Sequence, residues 1–572
     1  MRFIASVKRV SFWNVIIFGF IVFAFFVNAL HESYPDEFDN ILGGWYILQG
    51  RLPYIGFFTH HGPVPYFIAS IVALFSGESF VRFRIFYAFF LLFTFGSIYW
   101  ILKKTIGKEH ILFYPLFIAF VGIESTYYWM QMLLADNIAA IAFLPVYAII
   151  LLKAFYKKSI TIQDVGLVAI FSSIGLYSSL TYSYLFIIVS FSILFLYFKE
   201  NGFHRPFFSL RNARPFIILA VPHLLFFLYL LITGSLPDYF YQNYVFNTKY
   251  YIYNYPRSPE SSFINPVRYA ILIAHWFFVN FYTLLIGVKT FDFSFPVNMT
   301  MAMGDTSLFL YLLLRKRYKL AVFTLLVMVF TNIRSNPIQS GEKDYQAGVY
   351  NFLSFFNIFF VLPVLCKSIS DAKEETGRKV GYGFLMVLTA LYFFFGFSHL
   401  LFKFNEKTVS KYMGDQALIY DRPQLSPIIN SILTKEEYAW IGPFEFEDLF
   451  YLHTKIPSKY HILIPGVAES DKLRNEMLTD FVKNKPVIVI LETRFTYLGN
   501  GINNYGVFFF DFLNKNYITL LNYKNEKIAY RSVAPVTSRV DIETKMFIRK
   551  DKVKEVVQKL LRNNYIKEIN SK

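Results

Sequence analysis

Val15–Leu30 reads VIIFGFIVFAFFVNAL, sixteen residues with one polar side chain, Asn28, and no charge. A helix needs roughly 20 mostly apolar residues to cross the hydrocarbon core of a bilayer, and this run approaches that length. Similar runs recur at Ile85–Leu102, Ile111–Tyr127, Ile138–Leu152, Pro215–Ile232 and Val380–Leu401. The whole composition agrees. Of 572 residues, 55% are hydrophobic, 20% aromatic and only 17% charged, far from the balance of a soluble protein. Arg2, Lys8 and Arg9 precede the first run. A cleaved signal peptide is the competing reading, but the run is long for one and Asn28-Ala29-Leu30 is a poor cleavage site. An uncleaved first helix is therefore expected.

The formal charge of +17 does not point to nucleic acid. Lys and Arg stand in short clusters between apolar runs, as they do where basic loops stay cytoplasmic. The clusters are Lys103-Lys104 with Lys108, Lys153 with Lys157-Lys158, Lys199 to Arg214, Arg315-Lys316-Arg317 with Lys319, and 366–379. With the N-terminus also inside, about eleven helices carry residues 1–403 through the plasma membrane. Residues 31–82 then form one long outer loop holding membrane-hugging helices, and 124–137, 234–266 and 332–351 are outside. Between 266 and 314 the rule demands one crossing, although Tyr269–Val288 and Val297–Leu314 both look long enough. The single cysteine, Cys366, excludes an intrachain disulfide.

Beyond Phe404 the composition turns soluble. Ala439–Pro443 and Pro486–Glu492 read as buried strands, and Ala468–Asn484 and Lys552–Leu561 as helices. Residues 404–572 thus make an extracytoplasmic α/β domain, of a size that folds on its own core.

The spans show almost no ionisable groups at mid-depth, where transport pathways place them. The acids gather instead in the outer loops: Glu32, Asp36, Glu37 and Asp39 in the first, Glu124 and Asp136 in the second. Ser33-Tyr34-Pro35-Asp36 looks like a helix start, with Ser33 as N-cap. Phe38, Ile41, Leu42, Trp45 and Leu48 then recur at helical spacing, predicting an amphipathic helix that lies on the membrane and ends at Gly50. Asp36, Asp39 and Asn40 share a face and Glu37 points about 100° away. In a competing reading, Asp36 and Glu37 only complement the positive helix terminus, and Asp136 only caps its span.

Tyr34-Pro35-Asp36-Glu37-Phe38, then Gly50-Arg51-Leu52-Pro53-Tyr54, then His60-His61-Gly62-Pro63-Val64-Pro65-Tyr66 resemble the first loop of GT-C glycosyltransferases. The branch is that of the protein O-mannosyltransferases and lipid A aminoarabinose transferases. Leu134-Ala135-Asp136-Asn137 matches the second acid of that family, at the fourth span. The family's late outer loop often has an Arg followed by His-Tyr. Here Arg334 has no His after it, and Tyr345 and Tyr350 stand nearest.

The resemblance implies a sugar donor linked to polyprenyl phosphate and a glycan, lipid or protein acceptor at the outer face. An acceptor hydroxyl must lose its proton as it attacks, so a carboxylate base is needed. Asp36 or Glu37 is the expected catalytic residue. The departing lipid phosphate needs cations, for which Arg334, Lys343, Arg51, His60 and His61 are candidates, with Asp136 completing the substrate site. No metal or other cofactor is expected: Asp-x-Asp, His-x-x-x-His and cysteine-set motifs are missing. The rivals are a transporter or lipid flippase, and a polymerase or ligase of lipid-linked glycans.

Overall fold

The computed structural model describes residues 2–31, 33–103, 105, 113–128, 131–202, 209–254, 265–286, 296–331, 345–371, 375–412, 423–493, 496–497, 499–523, 528–533 and 542–570. Up to Tyr412 the regular elements among the described residues are helices. Seven helices among the described residues are long and apolar enough to cross a membrane, and six further apolar stretches are shorter. Pro266–Ile286 and Pro296–Leu314 are separate helices packed on each other. Within the second, Val297–Leu314 is long enough to cross, whereas the described apolar stretch of the first, Pro266–Val279, is shorter.

Two helices form the centre of the bundle. Ala135–Tyr156 and Gly348–Ser370 bury 83% and 78% of their apolar windows, against 17% for Leu210–Ile232 on the periphery. The high aromatic content is spent in this interior: Phe120 packs on Phe355, Phe359, Phe393 and Phe397 at 4.7–5.5 Å between ring centroids. Such pairs add to the area they bury because ring edges meet ring faces.

One polar cluster stands in the spans, where almost no ionisable groups were expected. Asp305, midway along Pro296–Leu314, is buried and accepts hydrogen bonds from Ser354 Oγ and Asn357 Nδ2, both at 2.8 Å. Tyr147 donates to Asn357 Oδ1 at 2.7 Å, so the Ala135–Tyr156, Pro296–Leu314 and Gly348–Ser370 helices are joined through polar groups.

The described residues between 31 and 82 include two helices, Pro35–Leu48 and Val64–Ser76, packed on each other. The first starts at Pro35 with Tyr34, not Ser33, at the N-cap position, and Gly50 (φ +81°) turns the chain out of it. A Cβ on Gly43 would sit 2.3 Å from the Tyr66 ring, and one on Gly44 2.6 Å from the backbone of Ala69. Only glycine allows this approach. The apolar face does not meet lipid as expected. Phe38, Ile41 and Leu42 are fully buried, with Phe38 between Phe80 (4.9 Å) and Phe450 (6.0 Å). Trp45 also meets Phe450, at 5.9 Å. Periodicity told which face is buried; the covering surface is the C-terminal domain.

That domain is built on four strands lying side by side in the order Ala439–Gly442, Ile488–Leu491, Met546–Arg549 and Tyr517–Thr519. The first pair is parallel and the others antiparallel. The two strands read from sequence are the first two here, and the expected helices appear as Asp471–Asn484 and Val553–Arg562. The Phe446–Phe450 helix faces the Pro35–Leu48 helix.

Candidate functional site

The segment 31–82 meets the turn that precedes Asp136 where the Pro35–Leu48 helix approaches the start of Ala135–Tyr156. The peptide of Leu133 joins them. Its N–H donates to Glu37 Oε1 at 3.2 Å, and its carbonyl accepts from Asn40 Nδ2 at 3.1 Å. Asn137 Nδ2 fastens the same turn at the Met132 carbonyl, 3.0 Å away. This turn leads directly into Asp136, which is buried and accepts from the Tyr182 hydroxyl at 2.7 Å.

The two expected catalytic acids have different surroundings. Asp36, in the first turn of its helix, is half-buried. Glu37 is fully buried and ion-paired with Arg84, 2.5 Å away and equally buried. Burial pushes the Glu37 carboxyl up from its usual range, while the Arg84 charge and hydrogen bond and the Leu133 N–H pull it back. Glu37 therefore shapes the floor of the site, holding the second outer loop against the first.

Asp39, one turn beyond Asp36, receives two donors. The Tyr66 hydroxyl reaches Oδ2 at 2.9 Å and His461 Nε2 reaches Oδ1 at 3.2 Å. His461 belongs to the C-terminal domain and is 1% exposed. Its neighbours Ser458 and Lys459 also touch the first loop: Arg51 donates to the Ser458 carbonyl at 3.2 Å, and Phe58 N–H to that of Lys459 at 2.9 Å.

The His60-His61 turn packs between the first loop and a segment from 236 to 254 that includes π-helical turns at Tyr241–Val245 and Asn247–Tyr251. The two imidazoles lie 4.0 Å apart and His60 lies 4.5 Å from the Tyr251 ring. Asn247 Nδ2 donates to the His60 carbonyl at 3.0 Å, Gln242 Oε1 accepts from Thr59 N–H at 3.0 Å, and Gln242 Nε2 donates to the Tyr54 carbonyl at 2.9 Å. The Tyr- and Asn-rich stretch thus clamps the turn. π-Helical turns often occur at functional sites.

Arg51 lies over the Tyr46 ring at 4.3 Å and lines a cleft of 1170 Å³ between the first loop and the C-terminal domain. Gln49, at the far end of the helix from Asp36, also lines it. At 1.5 Å per residue that is about 20 Å away. The structure hence ties Glu37 to the turn that leads into Asp136 and buries both, leaves Asp36 half-buried in the neighbouring helix, sets His60 and His61 beside the first-loop helices, and leaves Arg51 facing the domain cleft. Arg334 and Lys343 lie outside the described residues, as does Glu32. Arg84, Tyr66, Tyr182 and His461 were not singled out from sequence, because their partners lie 27 to 422 residues away.

No family model matches the chain, and no curated protein matches it. Among solved structures, the chain is similar to ArnT from Cupriavidus metallidurans bound to undecaprenyl phosphate. The identity is 11% and the TM-score 0.44, over 84% of this chain and 93% of that one.

Proposed function

We propose that this chain is a membrane glycosyltransferase of GT-C type. It moves a sugar from a polyprenyl-phosphate donor to a hydroxyl of a cell-envelope glycan, lipid or protein at the outer face of the membrane. The N-terminus is cytoplasmic and the C-terminal domain, residues 404–572, extracytoplasmic. The observation that carries the reading is the join between the two loops: the Leu133 N–H, three residues before Asp136, donates to Glu37 Oε1, and the Asn40 amide donates to the Leu133 and Asp36 carbonyls. Residues 96 positions apart are thus held in one hydrogen-bonded assembly.

The chemistry follows from the surroundings of each acid. Glu37 is committed to Arg84, Asp136 to Tyr182, and Asp39 to Tyr66 and His461. Asp36 keeps partial exposure and takes the acceptor's proton as the oxygen attacks the anomeric carbon. The bond from that carbon to the phosphate oxygen breaks, and polyprenyl phosphate leaves with its charge facing Arg334, Lys343 or the His60-His61 turn.

The test is release of free polyprenyl phosphate by the purified protein from a sugar-monophosphate lipid in the presence of envelope acceptors. Consumption of diphosphate-linked oligosaccharides alone would replace this reading with a polymerase or ligase. The mid-span Asp305 favours transport as a second reading. Movement of the intact lipid across a vesicle membrane with no bond broken would establish it.

A further inference from the structure

We propose that the C-terminal domain supplies a positioning residue, His461, that sets the geometry of the acid site from outside the membrane domain. The inference rests on the reading of Asp36 as the base. It comes from one hydrogen-bond chain whose direction can be worked out donor by donor.

Asp39 can only accept while ionised. The Tyr66 proton therefore goes to Asp39 Oδ2 (2.9 Å). In the contact between the Tyr66 and Thr59 hydroxyls, 2.7 Å, the proton must then come from Thr59. The Thr59 oxygen in turn accepts from the His61 backbone N–H at 3.1 Å. From the other side, His461 Nε2 donates to Asp39 Oδ1 at 3.2 Å. Both ends of the chain converge on Asp39, three residues beyond Asp36 on the same helix face. Thr59, Tyr66 and His461 are all buried, at 4%, 0% and 1% exposure.

The imidazole has no second polar anchor. Its buried Nδ1 has no hydrogen-bond partner among the described residues. The ring is walled by Tyr46, Phe57 and Phe446 at 5.7, 6.2 and 5.7 Å between centroids. Aromatic walls fix the ring plane, and Nε2 makes its single directional contact. A residue held this way aims Asp39, and Asp39 aims both the helix face carrying Asp36 and, through Tyr66 and Thr59, the His60-His61 turn. Errors of about 1 Å in such a constellation cost on the order of a hundredfold in rate.

The test uses full-length protein carrying His461→Ala or His461→Gln, since the Gln side chain can place an amide N–H near the Nε2 position. His461→Ala should lower kcat about ten- to a hundredfold, and His461→Gln should recover most of it. Hydrogen exchange of the segment 57–66 should be faster in the Ala variant and near wild type in the Gln variant. Adding Asp39→Asn to His461→Ala should cost less than the sum of the two single changes, because they share one contact. Wild-type exchange in segment 57–66 of His461→Ala would overturn the proposal, as would equal losses in the Ala and Gln variants. Failure of the glycosyltransferase reading looks different: the wild-type protein would then release no polyprenyl phosphate, while the exchange experiment still decides the role of His461.

Discussion

Glu37 and Arg84 close an ion pair at 2.5 Å in which neither side chain retains any exposure to solvent. Breaking one partner of such a pair strands a buried charge, which typically costs 3–5 kcal/mol. Glu37→Gln should therefore show its main effect as a lower melting temperature of the detergent-solubilised protein. Arg84→Met should do the same. A melting curve unchanged in both variants would mean that the pair contributes nothing to the fold.

Asp36→Asn should behave in the opposite way. Its side chain is half-buried at a helix start, so the loss in stability should stay within about 0.3–1 kcal/mol, the worth of a charge at that terminus. Turnover should fall by roughly 10²–10⁴, the usual effect of removing a general base. Measuring both quantities separates the catalytic role from simple support of the helix dipole. Near-normal turnover would pass the role to Asp136.

Gly44→Ala tests the contact between the two first-loop helices. The added Cβ would lie 2.6 Å from the Ala69 carbonyl carbon and 2.7 Å from the Ser70 nitrogen. Backbone cannot swing aside as a flexible side chain does, so overpacking of about 1–3 kcal/mol is expected. Thermal melting should fall, and activity with it, since Asp36 rides on the displaced helix.

Asp448 gives a pH signature to the C-terminal domain. Burial raises its carboxyl above the ordinary value of 3.8, although the Leu425 and Ser426 N–H groups, which donate to Oδ1 at 2.9 and 2.7 Å, pull it down. An acid whose folded value is raised stabilises the fold most below its unfolded value, and that contribution is lost as pH rises through the folded value. Asp448→Asn keeps an acceptor oxygen and removes the titration. The difference in melting temperature, variant minus wild type, should grow as pH rises from about 3.8 and then level off. A difference that stays constant with pH would mean that Asp448 does not titrate in this window.

The membrane architecture was legible in the sequence because a bilayer imposes length and apolarity on each segment separately. The basic clusters singled out Asp36 and Asp136 as acids of loops expected on one side; the structure leaves Asp36 half-buried at a helix start and buries Asp136 beside Tyr182. Glu37 was misjudged in its surroundings because Arg84, 47 residues on, sits among apolar residues of a span. Asp305 escaped notice for a similar reason: one acid hardly lowers the hydropathy of an 18-residue window, and its partners Ser354 and Asn357 come from another helix. The Pro35–Leu48 helix showed its apolar face plainly, but a period of 3.6 residues says nothing about whether lipid or protein covers it.

The contact between Asp39 and His461 also sets an order of events during synthesis. The two residues are 422 positions apart. At about 5–20 residues per second, the first outer loop emerges and waits roughly 20–80 s for its partner to be translated. During that interval Phe38, already stacked on Phe80, and Trp45 lack their contact with Phe450, which has not been made either. A nascent chain halted before Phe450 would keep its bundle of spans while presenting an aromatic patch to the cell's quality control, and its acid site would still lack the histidine.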